Sequence, residues 1–188
     1  MHPPPPPSLP PSLSPSFLHF PSPRLTDTHE SIGEIIDFLQ ITFQCLSYLP
    51  RAARDIAYFT CCNGVAHGLL NHLLSPKVPA LNAICMANID IDCRELGRFA
   101  ITTGVPGLNQ CFAELHEIAL LATHPELQKY IDNPEIRRRN FPRLGIEKFI
   151  QMLDKIVPAP LGVFTANLFK YDKSNVKSFI KKLKQQGY

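Results

Sequence analysis

The chain predicts an all-α fold, a bundle of about six helices behind a disordered proline-rich tail. Three observations carry that reading. Apolar residues recur at three–four spacing in one segment after another. Loops marked by proline and glycine separate those segments. No run alternates apolar and polar residues for long enough to make a convincing strand.

The elements follow in order. Residues 1–23 hold ten of the 19 prolines, with an unbroken run from Pro3 to Pro7. Proline fixes φ and has no N–H to donate, so the tail, taken as residues 1–27, reads as extended or polyproline II without a core. A ligand for a proline-recognising domain and a plain lead-in both fit it. The helical domain is expected over 28–188. Ser31 and Glu34 suggest a capping box, followed by a face of Ile32, Ile35, Ile36, Leu39, Phe43 and Leu46 that Pro50 ends. Ile56, Phe59, Asn63, Ala66, Leu70 and Leu73 suggest the second face. Gly64 and Gly68, one turn apart, suggest close approach of a neighbouring helix. After Pro76 and Pro79 a short helical stretch precedes a helix expected to start at Asn88 and Asp90, where acidic side chains suit the exposed N–H groups. Leu96 and Phe99 point it inward. Gly104-Val105-Pro106-Gly107 is a break, and Leu108, Phe112, Leu115, Ala119 and Ala122 form the next stripe. Residues 125–141 read as turns or helix starts. Ile146, Phe149, Ile150, Leu153 and Ile156 form a stripe ended by Pro158-Ala159-Pro160. Val176, Phe179, Ile180 and Leu183 line a last helix whose opposite face carries Lys173, Lys177, Lys181 and Lys184.

Composition narrows the function classes. An apolar share of 45% over 188 residues suffices for one domain and its core. The longest apolar run, residues 118–122, is far short of the roughly 20 residues a bilayer span needs. No basic start with an apolar core marks a secretory signal, so a soluble cytoplasmic chain is expected. The net charge of +3 is uneven: Lys170, Lys173, Lys177, Lys181, Lys182 and Lys184 stand beside a single acid, Asp172, and the remainder carries 13 bases against 15 acids. Cys45, Cys61, Cys62, Cys85, Cys93 and Cys111 lie in aliphatic helical segments without a CxxC pair, which suggests buried free thiols rather than a disulfide framework.

Candidate chemistry is sparse, and neither a catalytic residue nor a cofactor is expected. Cys61, Cys62, His67 and His72 are the best metal candidates, but histidines five apart diverge by about 140° on a helix. Glu114, His116 and Glu117 are neighbours on one helix and point apart, whereas general acid–base work needs convergence. Cys111 with His116 fails likewise. There is no GxSxG, GxxxxGK[ST] or GxGxxG. Arg137-Arg138-Arg139 and the final lysine face are the electrostatic features. They suit anionic phospholipid headgroups or a solvated helix face. No aromatic side chains interleave with the lysines to stack bases, so specific nucleic-acid binding is not expected.

Residues from about 52 to 186 resemble the C-terminal region of the Sec-fifteen family, exocyst complex component six. The resembling blocks come in a set order. GLLNHLLS leads to Leu81-Asn82-Ala83 and Asn88-Ile89-Asp90-Ile91, then Glu95-Leu96, Phe99-Ala100 and Val105-Pro106-Gly107-Leu108. A proline-started helix then ends in FIQMLDKI, and Phe164 and Phe169-Lys170 precede the lysine-rich terminus. The resemblance implies stacked helical bundles without catalysis. It also implies a place among other exocyst subunits, which tether secretory vesicles to the plasma membrane, with attachment peripheral to both. In that family the C-terminal region binds a GTP-loaded Rab-family GTPase; the matching positions here are Asn88, Ile89, Asp90 and Ile91. Departures are the absent N-terminal coiled-coil part, the proline-rich tail in its place, and the altered segment His124–Tyr130.

Overall fold

Hairpins of helices, stacked side by side, are what the proline and glycine breaks leave the chain to form. The computed structural model describes residues 30–156 and 171–186. The expected disordered tail, the Pro158-Ala159-Pro160 break and the Phe164 and Phe169-Lys170 blocks lie outside the described residues.

Among the described residues there are eight α-helices and one 3₁₀ turn, against the expected six helices. They are α1 (Glu30–Leu46), α2 (Arg51–Leu74), α3 (Ala83–Thr102), α4 (Ala113–Ala122), α5 (Leu127–Asp132), α6 (Pro134–Asn140), α7 (Ile146–Lys155) and α8 (Lys173–Gln185), with the 3₁₀ turn at Leu108–Phe112 leading into α4. The only sheet-like pairing among these residues is a single bridge between Leu81 and Ile156.

The two added helices lie in the ambiguous stretch 125–141. Asn133 ends α5 and also caps α6, its side chain accepting from the Ile136 N–H at 3.1 Å, with Pro134 at the first helical position. At the Gly104–Gly107 break both glycines hold positive φ, +72° and +78°, a conformation that favours glycine. The stripe Leu108, Phe112, Leu115, Ala119 and Ala122 is wholly buried, as its spacing predicts.

Other expectations need correction. Ser31 lies inside the first turn of α1, not ahead of it. On α2 the buried residues are Tyr58, Cys62, Ala66 and Leu70, while Ile56 is 68% exposed and Asn63 is exposed. The cause is Tyr58: its ring stacks on Phe43 at 3.8 Å and its hydroxyl donates to the Phe43 carbonyl at 2.8 Å, which sets the rotation of α2. Gly64 and Gly68 are exposed, and a methyl at either would meet nothing within 4 Å, so among the described residues no helix approaches there.

Two apolar cores share the long helices α2 and α3. One gathers Ile32, Leu39 and Phe43 of α1 with Tyr58, Cys62, Ala66, Leu96, Ala100, Leu108 and Phe112. The other gathers Leu70, Met86 and Cys93 with the inner faces of α4, α5, α7 and α8. A polar clasp joins the ends of this second core. The Lys155 ammonium at the end of α7 donates to the carbonyls of Leu73, Ser75 and Val78 at 3.0, 2.6 and 2.7 Å. The first two carbonyls close α2, where a cation offsets the negative end of the helix dipole, and the third lies in the turn that follows.

Candidate functional site

The site-bearing helix α3 begins five residues before Asn88. Asn82 is its cap, accepting from the Cys85 N–H at 2.9 Å, and Ala83 opens the first turn. Asn88 and Asp90 therefore lie within the helix, and the expected start at these two residues is corrected. Their acidic or polar character is not used for capping.

Four consecutive helical positions span about 300°, so Asn88, Ile89, Asp90 and Ile91 cannot share one face. Ile89 packs partly buried against the second core. Asp90 turns toward α4: its Oδ1 lies 2.9 Å from His116 Nε2, and its Oδ2 accepts from Arg94 at 2.6 Å. The contact from His116, with the Arg94 charge behind it, outweighs burial and holds the Asp90 carboxyl below the usual carboxylate range. Asn88 and Ile91 lie one turn apart and are partly buried, as Ile89 and Asp90 are. The Asn88 Oδ1 is shielded from water yet accepts no hydrogen bond. A shielded acceptor without a donor costs about 1–3 kcal/mol.

The acid–base candidates of α4 separate. Glu114 accepts from Lys148 of α7 at 2.6 Å, His116 faces Asp90, and Glu117 accepts from the Arg143 N–H at 2.8 Å. Each ties α4 to a different neighbour. A cleft of about 530 Å³ between α1, α2 and α3 is lined by Phe43, Tyr58, Phe99 and others, with no carboxylate, imidazole, thiol or amine in its lining. Among the described residues no group of three or more His, Cys, Asp or Glu could hold a metal ion. No helix among them is long and apolar enough to cross a membrane.

All six cysteines are free, but only Cys62 and Cys93 are buried; Cys45 is exposed, which corrects the expectation of uniform burial. Burial first, then neighbouring Cys111 and Cys61, pushes the Cys62 thiol up to about 12. Burial first, then Asp92 and Asp90, does the same to Cys93, also about 12.

On α8 the expected division of faces is present. Val176, Phe179 and Leu183 are buried, and Lys173, Lys177, Lys181 and Lys184 are exposed. Asp172 caps the helix reciprocally with Asn175. Lys182 stands apart from the lysine face and pairs with Asp132 at 2.6 Å. Sequence reasoning missed Arg137. The triplet Arg137-Arg138-Arg139 reads as surface charge, yet Arg137 is 4% exposed. Its guanidinium donates to the Tyr130 carbonyl at 2.9 Å and to Gln186 Oε1 at 3.0 Å, while Gln186 Nε2 donates to the Ile131 carbonyl at 2.7 Å. No signal near position 137 distinguishes it from its two exposed neighbours.

Comparison with known proteins gives these helices a lineage. Residues 19–155 match the family described as "Exocyst complex subunit Sec15 C-terminal". The match begins well before the resemblance read from about residue 52 and stops short of α8. Exocyst complex component 6B of Mus musculus and that of Homo sapiens are each 30% identical over 87 residues, 46% of this chain and 11% of each relative. The matched stretch thus spans about a tenth of those relatives. No solved structure matches. A family match over well more than half of the chain, on an all-α fold, decides its membership: the chain belongs to the Sec15 C-terminal family of exocyst complex subunits.

Proposed function

We propose that this chain is a non-enzymatic, exocyst-type adaptor in tethering secretory vesicles to the plasma membrane. It binds a GTP-loaded Rab-family GTPase through α3 and works in the cytoplasm with other exocyst subunits, peripheral to vesicle and plasma membrane. Family membership supports the tethering role. The single observation behind the choice of surface is Asn88 of α3, a partly buried side chain whose shielded Oδ1 has no hydrogen-bond partner, one turn from partly buried Ile91. Sites that break a local rule of polar satisfaction are where function is to be sought. Ile89 and Asp90 hold that surface from below, one through the core and the other through His116.

A pull-down on GTP- and GDP-loaded Rab-family proteins tests the reading. Preferential retention of a GTP form is expected, and equal or absent retention removes the idea. Asn88→Ala is expected to weaken GTP-state binding by about 10-fold, the scale of one interface side chain. Because Oδ1 has no partner to lose, the same change should leave the thermal midpoint near that of the parent. A large drop in the midpoint would show Asn88 to be structural.

The exposed row Lys173, Lys177, Lys181 and Lys184 favours a second, compatible reading, attachment to anionic phospholipid through α8. Near an anionic surface each such side chain contributes about 1 kcal/mol. In liposome flotation, Lys177→Glu with Lys181→Glu should reduce binding to anionic vesicles by about 10-fold or more. Binding that ignores these changes, or that persists on neutral vesicles, would count against it.

A further inference from the structure

Helix α1 is apolar on two sides. Its inner side, Ile32, Leu39 and Phe43, is buried. On its outer side Phe38 is 67% exposed and Ile41 62%, with Cys45 exposed one turn on. These three stand at i, i+3 and i+7, the spacing of one helix stripe, and Tyr48, 93% exposed, carries it into the turn before α2. Single exposed apolar residues are ordinary, but a row of this kind marks an interaction surface.

Charge indicates what covers it. α1 contains acids, Glu30, Glu34 and Asp37, and no basic residue. At the other end of the stripe stands Arg51, its side chain 81% exposed and touching Asp55 only at 3.8 Å. The stripe therefore runs from an acidic end to a basic end, and it is complementary to itself reversed. Two copies packed antiparallel about a two-fold axis near residue 43 set Phe38 against Tyr48, Ile41 against Cys45, and the Glu34 end against Arg51. This is the self-complementary pattern of an isologous interface.

We propose that the outer face of α1 is a homodimer interface, formed antiparallel with a second copy of this chain. The inference is independent of GTPase binding. One short stripe buries little surface, so the dimer belongs to the small, transient class, with Kd on the order of micromolar. Sedimentation velocity of the full chain over a concentration series should show mass moving from the 21.1 kDa monomer toward twice that value. Phe38→Glu or Ile41→Glu should raise Kd by about 30-fold or more, the scale of a central hot spot. Both side chains point outward, so circular dichroism should report unchanged helix content. Glu34→Arg and Arg51→Glu should each weaken the dimer, and the two together should restore it, which no merely structural role would produce. A monomer at every concentration up to about 1 mM would overturn the proposal. So would a dimer indifferent to these substitutions, or a double charge swap that fails to restore it. Protection of the stripe in a monomer by residues 1–29, read by hydroxyl-radical labelling, would replace the second copy with the chain's own lead-in.

Discussion

Phe149→Ala is expected to lower the unfolding free energy by about 3–5 kcal/mol, read by urea denaturation. Phe149 is fully buried on α7 and belongs to the larger core, where α4, α5, α7 and α8 meet. Deleting its ring removes its transfer free energy and also leaves a cavity, because α7 cannot collapse inward. The Lys155 clasp on the end of α2 and the Leu81–Ile156 bridge fix the far end of that helix. Domains of this size are stable by about 5–15 kcal/mol, so the change takes a large fraction of the total. Leu120→Ala, at an exposed position of α4, should shift stability by less than about 1 kcal/mol. A loss below about 1 kcal/mol at Phe149 would contradict the packing described for α7.

Much of this architecture is legible in the order of residues where side-chain chemistry and burial agree. The faces Ile32–Leu39–Phe43 and Val176–Phe179–Leu183 are read correctly because each buried position is aliphatic or aromatic, and on α8 the opposite face is polar as well. On α2 this agreement fails. The buried positions include a tyrosine and a cysteine, and the exposed ones include Ile56 and Asn63, so the apolar periodicity is right at Ala66 and Leu70 and wrong at these two positions. What fixes the true line is the Tyr58 hydroxyl reaching the Phe43 carbonyl, a contact between two helices that neither helix announces. The start of α3 fails for a different reason. Asn82 and Asn88 both resemble caps, and which of them ends up flanking the helix depends on whether the chain can already be helical at Ala83. Ala83 and Met86 pack into buried positions, and that favours the earlier start.

The candidate site shows the same division. That α3 carries an amphipathic surface, and that α8 is apolar on one side and basic on the other, follows from spacing alone. Which of Asn88, Ile89, Asp90 and Ile91 face outward does not, because the phase of α3 is set by tertiary packing. The His116–Asp90 tie spans two helices and has no local trace. Lys155 and Arg137 are harder still. Each is a long basic side chain in a segment that reads as solvated, yet Lys155 reaches carbonyls at the end of α2 and Arg137 links the Tyr130 carbonyl to Gln186 beyond α8. Long stems of this kind pack along apolar surface while their heads find oxygen, which composition cannot foresee.

Arg137→Met is therefore expected to act out of proportion to its place in a basic triplet, lowering stability by about 2–4 kcal/mol. Methionine fills much of the stem's volume, so the loss isolates the guanidinium. Without it the Tyr130 carbonyl loses its donor and Gln186 Oε1 loses its partner, both in a part-buried setting. Gln186 follows directly on α8, and with its grip weakened the end of that helix keeps only the Gln186 bond to the Ile131 carbonyl and the Lys182–Asp132 pair. That pair is exposed and contributes about 1 kcal/mol or less. The consequence is local. Hydrogen exchange of the α8 amides from Val176 to Leu183 should quicken by about 10-fold or more, while those of α1 and the first half of α2, in the other core, stay as they are. Arg138→Met, one position on and exposed, should change neither quantity. Equal protection of α8 in the two variants would mean that Phe179 and its apolar neighbours hold the helix by themselves and that the buried guanidinium is not needed for docking.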